Sequence, residues 1–164
     1  TFIEKREQMD FKKNENEKYK KLDARYLAFL MGKIDGLYDK FARQYGLNYN
    51  SLGVYSAIYT NQPCTQKEIC RKWGLFKQTV SSICKELHKK GMLDYESSDK
   101  DKREKYVKFT EKGNKFAKPI IMKLEELENG VLDEMDEESR YWIFKSSEKF
   151  YESFNKKMKK VDYE

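Results

Sequence analysis

From Thr65 to Phe109 the chain punctuates itself so closely that few architectures remain open. The run starts on TQKE at 65–68, a capping box: the Thr65 hydroxyl and the Glu68 carboxylate can each satisfy an amide that the first helical turn leaves without a partner. A short helix through Ile69, Cys70 and Trp73 follows, and Gly74 and Leu75 turn the chain. The next helix reaches Lys90, with Val80, Ile83, Cys84 and Leu87 at i, i+3, i+4 and i+7 on its inward face. Its outward face offers Lys77, Gln78, Ser81, Ser82, Lys85 and Lys89, and Gly91 stops it. Tyr95 on one side, and Tyr106, Val107 and Phe109 on the other, then flank a charged tip of Lys100, Asp101, Lys102 and Arg103, which predicts a two-stranded hairpin. A polar hairpin tip alone is only a wet turn. Directly behind a helix–turn–helix it has a second meaning: one helix can dock in a major groove while the hairpin reaches the flanking backbone or minor groove.

The flanks read as helices. Apolar residues recur as Tyr19, Leu22, Tyr26, Leu30, Ile34, Leu37, Tyr38, Phe41 and Tyr45, one long amphipathic helix closed by Gly46. Asn50 is the expected N-cap of a helix that ends near Asn61 and Pro63. Thr110 caps a helix from Glu111 to about Asn129, with a bend expected at Pro119. Asp136 caps a last helix whose stripe is Tyr141, Phe144, Tyr151, Phe154 and Met158. The fold class is mainly α with a small β-hairpin (α+β), a winged helix-turn-helix between long terminal helices. It divides as 1–48, an N-terminal helical region; 49–110, the winged helix; and 111–164, a C-terminal helical region.

The stripes on the terminal helices exceed what one small domain of a 164-residue chain can cover, so a second copy is the expected partner. Charge separates the same regions. Residues 63–109 hold 12 lysines and arginines against 7 acids, whereas the last 55 residues hold 11 against 13. A basic middle suits a polyanion. No apolar run approaches the ~18 residues of a membrane span, and the N-terminal stretch has no apolar centre of a signal peptide, so a cytoplasmic protein without a membrane partner is expected. With Thr1 first, an initiator Met was removed or lies outside this chain.

Catalysis, metal and cofactor find no support: there is one His, no CxxC pair and no Gly-rich phosphate loop. No cofactor is expected and the chain reads as a non-enzyme. Of the three cysteines, Cys70 and Cys84 lie on inward stripes, and Cys64, near a helix N-terminus, has the best claim to reactivity. Packing is expected for all three, and a surface position for His88.

TQKEICRKWGLFKQTVSSICKELHKKGML followed by DKDKREKYVKFTEKG resembles the MarR (multiple-antibiotic-resistance regulator) family, closely from about Asn50 to Ala117 and by order and length beyond. KQTV, KKG, the Asp-x-Arg of Asp101 and Arg103, and FTEKG carry the likeness. The resemblance implies an obligate homodimer interlocked through its first and last helices, and a transcriptional regulator, usually a repressor, of a palindromic operator. Double-stranded DNA is then the partner of Thr65, Gln66, Lys77, Gln78, Thr79, Ser81, Ser82 and Lys85, and of Lys100, Lys102 and Arg103 on the wing. Gln reads adenine, Ser and Thr adapt to either partner, and Lys reaches guanine or phosphate. Arg103 suits a narrow minor groove, and the family pattern implies that Asp101 orients it. Two departures stand out: Phe76 occupies a place where the family often has a polar helix cap, and Ser82 one where many members have Arg. Tyr38, Tyr55 and Tyr59 can line a pocket for a small-molecule effector that releases DNA. The alternatives are a winged helix that docks a protein, and a cysteine-based redox sensor of the same fold.

Overall fold

The computed structural model describes residues 23–97 and 105–161. Asp23, in an extended conformation, caps α1 (Ala24–Arg43) by accepting from the amides of Arg25 and Tyr26. Of the helix read from Tyr19, the described part starts at Ala24, and Tyr19 and Leu22 lie outside the described residues. Gly46 ends this segment as expected. At φ +71° it lets the Leu47 amide reach the Ala42 carbonyl (3.0 Å) and its own amide reach that of Arg43 (3.1 Å), the paired bonds of a Schellman motif.

The cap of α2 (Tyr49–Asn61) is Asn48, not Asn50. Asn48 Oδ1 accepts from the Ser51 amide at 2.8 Å, and the Asp39 carboxylate of α1 accepts from the Tyr49 amide at 2.9 Å. That tertiary bond fixes where the helix begins, and it is invisible to a local reading. Every residue of α2 from Leu52 to Ile58 is buried, so this is the central helix rather than a one-sided amphipathic one. Around it come β1 (Cys64–Thr65), α3 (Gln66–Trp73), α4 (Lys77–Lys89), β2 (Leu93–Ser97), β3 (Lys105–Phe109), α5 (Glu111–Asp133) and α6 (Glu137–Met158).

The expected hairpin gains a third strand, in the antiparallel order β1-β3-β2, with Cys64 opposite Val107 and Tyr95 opposite Val107 on the other side. Two residues are too few for any alternation to announce β1. Val80, Cys84 and Leu87 of α4 are buried as their spacing predicts, with Ile83 packed partly against them. Helix α5 runs through Pro119 and four residues past the expected end.

One joint holds α4, the sheet and α5 together. The Thr110 hydroxyl donates to the Gly91 carbonyl (2.8 Å) and accepts from the Gly113 amide (3.1 Å). The Thr110 amide donates to the Met92 carbonyl (3.1 Å), and Lys112 Nζ to that of Lys90 (2.7 Å). Gly113 makes the approach possible: a Cβ there would stand 2.0 Å from Met92 O and 2.9 Å from the Phe109 ring. Gln62 braces the far side, accepting from the Phe109 amide (2.9 Å) and donating to Asn114 Oδ1 (3.0 Å).

Helix α6 is capped by Asp136 as expected, yet buries no residue. Beyond the predicted stripe of Tyr141, Phe144, Tyr151 and Phe154, its Trp142, Ile143 and Phe150 are exposed as well. On α1, Tyr26, Leu30, Ile34 and Leu37 are equally bare.

In an open helix, replacing Gly by Ala stabilises by about 0.5–1 kcal/mol. At Gly113 the sign should invert, because the obstacle is backbone: Gly113→Ala should lose roughly 1–3 kcal/mol or more. Gly130→Ala, in the same helix with nothing within 4 Å, should show the ordinary small gain. Urea midpoints of the two variants check this.

Candidate nucleic-acid interface

The interface is built on a helix whose two faces have different duties. The inward stripe of α4 locks it to the core, and that burial leaves Lys77, Gln78, Ser82 and Lys85 exposed on the other side, with Thr79 and Ser81 half-buried between. The preceding turn is set by Gly74, at φ +62° the left-handed C-cap of α3. Leu75 then packs partly against the core and Phe76 points to solvent. Phe76 is the N-cap of α4 and makes no side-chain cap bond, so it offers the first-turn amides no acceptor. Giving up a Ser, Thr, Asp or Asn at this place costs about 0.5–2 kcal/mol.

Helix α3 starts on the predicted capping box. The Thr65 hydroxyl accepts from the Glu68 amide (3.2 Å), and Glu68 Oε2 accepts from the Thr65 amide (2.7 Å) and hydroxyl (3.0 Å). Thr65 is 5% exposed. Its hydroxyl is thus spent on positioning α3 rather than displayed, while Gln66 next to it remains half-exposed. The Thr65 amide and hydroxyl hold the Glu68 carboxyl below its ordinary value.

At the other end, His88 is exposed, as expected of a surface residue, but it has a structural duty. Its Nδ1 lies 2.7 Å from the Leu93 carbonyl, which can only accept, so the proton sits on that nitrogen. The ring meets Tyr95 edge-on at 5.0 Å between centroids. His88 therefore ties the end of α4 to β2, a role no sequence signal marked. Lys108 of β3 pairs with Glu96 of β2, leaving Lys105 exposed at the end of the ladder opposite Ser97. Lys100, Asp101, Lys102 and Arg103 lie outside the described residues.

The other candidates are scattered. Tyr38 donates to Glu128 of α5 at 2.8 Å, and burial with that carboxylate pushes its hydroxyl up to about 12. Tyr55 is in the core, its ring 5.5 Å from Phe109 and 5.7 Å from Phe116. Tyr59 is half-buried on the same helix. Cys64 and Cys84 are buried, and burial pushes their thiols up to about 11 and about 12, the reverse of a stabilised thiolate. Cys70 is half-buried against the core. Among the described residues no group of three or more His, Cys, Asp or Glu could hold a metal ion, and no helix is long and apolar enough to cross a membrane.

A capped helix, a glycine turn, a second helix with a bare polar face and a three-stranded wing define a winged helix-turn-helix. Residues 45–104 match the MarR family model. It is similar to a MarR family regulator from Neisseria meningitidis, with TM-score 0.74 and 29% identity over 83% of this chain and 96% of that one. It also shares the fold of S. aureus MepR in a complex with DNA, with TM-score 0.69 and 19% identity over 82% of this chain and 99% of that one. Among curated sequences, the transcriptional regulator Hpr of Bacillus cytotoxicus is 24% identical over 63% of this chain and 56% of its own length. The chain spans about half the length of the curated relatives it matches.

The capping box has a pH signature. A carboxyl held below 4.5 adds stability above that pH, and the gain fades as pH falls through the lowered value. Glu68→Gln should therefore be less stable than the parent at pH 7, and the gap should close on acidification. Thermal melts of both proteins from pH 7 to pH 3 would show the convergence; parallel curves would refute it.

Proposed function

We propose that the chain is a DNA-binding transcriptional regulator that acts as a homodimer on a palindromic operator. The observation that carries the reading is the division of α4: an inward stripe that fixes the helix, and an outward row of Lys77, Gln78, Ser82 and Lys85 free to meet a ligand. A helix of these dimensions fits the major groove, and its N-terminal residues are the ones that meet base edges. Thr79 and Ser81 supply flanking contacts, Gln66 and the Thr65 cap set the approach of α3, and Lys100, Lys102 and Arg103 take phosphates or a minor groove with Asp101 orienting the arginine. In this reading residues 49–110 bind DNA, and 1–48 and 111–164 pair two copies. Repression in the cytoplasm is the mode proposed.

Release by a small effector belongs to the same proposal. A cleft of about 260 Å³ lies between the α1–α2 junction and α4, lined by Leu47, Ser51, Tyr55, Ile83 and Glu86 among others. That is near the lower bound of small-molecule sites, and a ligand there would press on the helix that meets DNA. Of the three tyrosines, Tyr55 is the one at this cleft. Tyr38 and Tyr59 are the weaker members of the set.

Selecting bound sequences from a random DNA pool tests the proposal; an enriched palindrome supports DNA binding and two-fold symmetry together, and no enrichment refutes both. On the selected site, Gln78→Ala should relax preference at one base pair per half-site by about 1–3 kcal/mol. Arg103→Ala should weaken most sequences alike and lower the salt slope by about one unit. Titrations at several salt concentrations separate the two behaviours, and an apolar protein-docking module would show neither.

Removing residues 137–164 should yield a folded monomer. Among the described residues helix α6 contributes nothing to the buried core, so its loss should cost pairing rather than the winged helix. Light scattering reads the mass; a stable truncated dimer would sink the assignment.

A further inference from the structure

The polar face of α4 begins on an apolar side chain. Phe76 is 83% exposed, more than any other large apolar residue described. The turn forces it there. Gly74 in the left-handed region reverses the chain, Leu75 packs inward, and Phe76, extended at φ −68° and ψ 142°, is left facing out. Pairing through the bare faces of α1 and α6 does not explain it, since Phe76 belongs to neither helix. Helix capping does not explain it either, because Phe76 offers the helix no acceptor.

Its immediate neighbours are the exposed Lys77 and Gln78, within a segment that carries five more basic than acidic residues. The partner that fits is a polyanion with an apolar spot at its reading edge. Duplex DNA has one in the major groove, the thymine 5-methyl, and Phe is among the side chains that contact it. We propose that Phe76 packs on a thymine 5-methyl group in each half-site, at the base pair beside the one that Gln78 meets, and so sets sequence preference where a capping residue could not. The proposal rests on the DNA-binding reading above and adds a named base feature to it.

Deoxyuridine removes the methyl and nothing else, so the full chain is titrated against its selected site with each thymine replaced in turn. One position per half-site should lose about fourfold for each methyl removed, the value of burying one methyl-sized group. Phe76→Ala should bind the thymine and uracil sites equally, at about the affinity of the parent for the uracil site. Phe76→Ser should lose the same discrimination while its melting temperature rises, because serine restores a cap; this shows that the loss is not misfolding. If Phe76→Ala keeps the uracil penalty, or binds the thymine site as tightly as the parent, the proposal is overturned. A parent protein that selects a palindrome with a steep salt slope but ignores Phe76 would overturn this inference alone. A parent that selects no sequence would overturn the DNA-binding reading with it.

Discussion

The contact on which the arrangement depends is the approach of the first turn of α5 to the Met92 carbonyl. Without a side chain at Gly113, two backbones come closer than a Cβ would permit. The Thr110 hydroxyl uses that proximity twice, as donor to the end of the α4 segment and as acceptor from α5. Lys112 adds a bond to Lys90, and His88 adds one from α4 to β2. The helix with the bare polar face, the wing strands and the long α5 therefore form one body.

Much of this was legible because much of it is local. The capping box, the glycine ends at Gly46 and Gly91, the caps at Thr110 and Asp136, and the stripe of α4 all follow from helical periodicity and the hydrogen-bond needs of helix ends. The interface candidates were legible as the complement of that stripe. Where the reading failed, distant residues decided. Asn48 took the cap from Asn50 because Asp39, ten residues from Tyr49, fixes where α2 starts. The strand at Cys64–Thr65 exists because Val107 and Tyr106 pair with it. FTEKG could be noticed as a string, but the reason for its glycine lies across the fold, at Met92.

Cys64 shows two physical effects in competition. Its place near a helix start favours a thiolate, and its burial in β1 disfavours one. Burial is the larger effect, and the nearby Glu68 carboxylate adds to it, with only Lys72 opposing. The same carboxylate that completes the cap of α3 thus helps keep the adjacent thiol protonated. Tyr55 also answers to two settings: its ring is held between Phe109 and Phe116, and it lines the cleft beside α4.

The bare aromatics of α6 carry a consequence for how such a chain comes into being. The winged helix closes on residues near one another in sequence, and its core owes nothing to α6. On a ribosome, α6 emerges after the winged helix, and among the described residues it finds no apolar cover. In the homodimer proposed above, its shielding by a second copy would be a bimolecular event, with a rate that grows as the square of the free-chain concentration. Until that encounter Trp142, Ile143 and Phe150 would stay bare, so expression level would set not only how much protein there is but how long it stays unshielded.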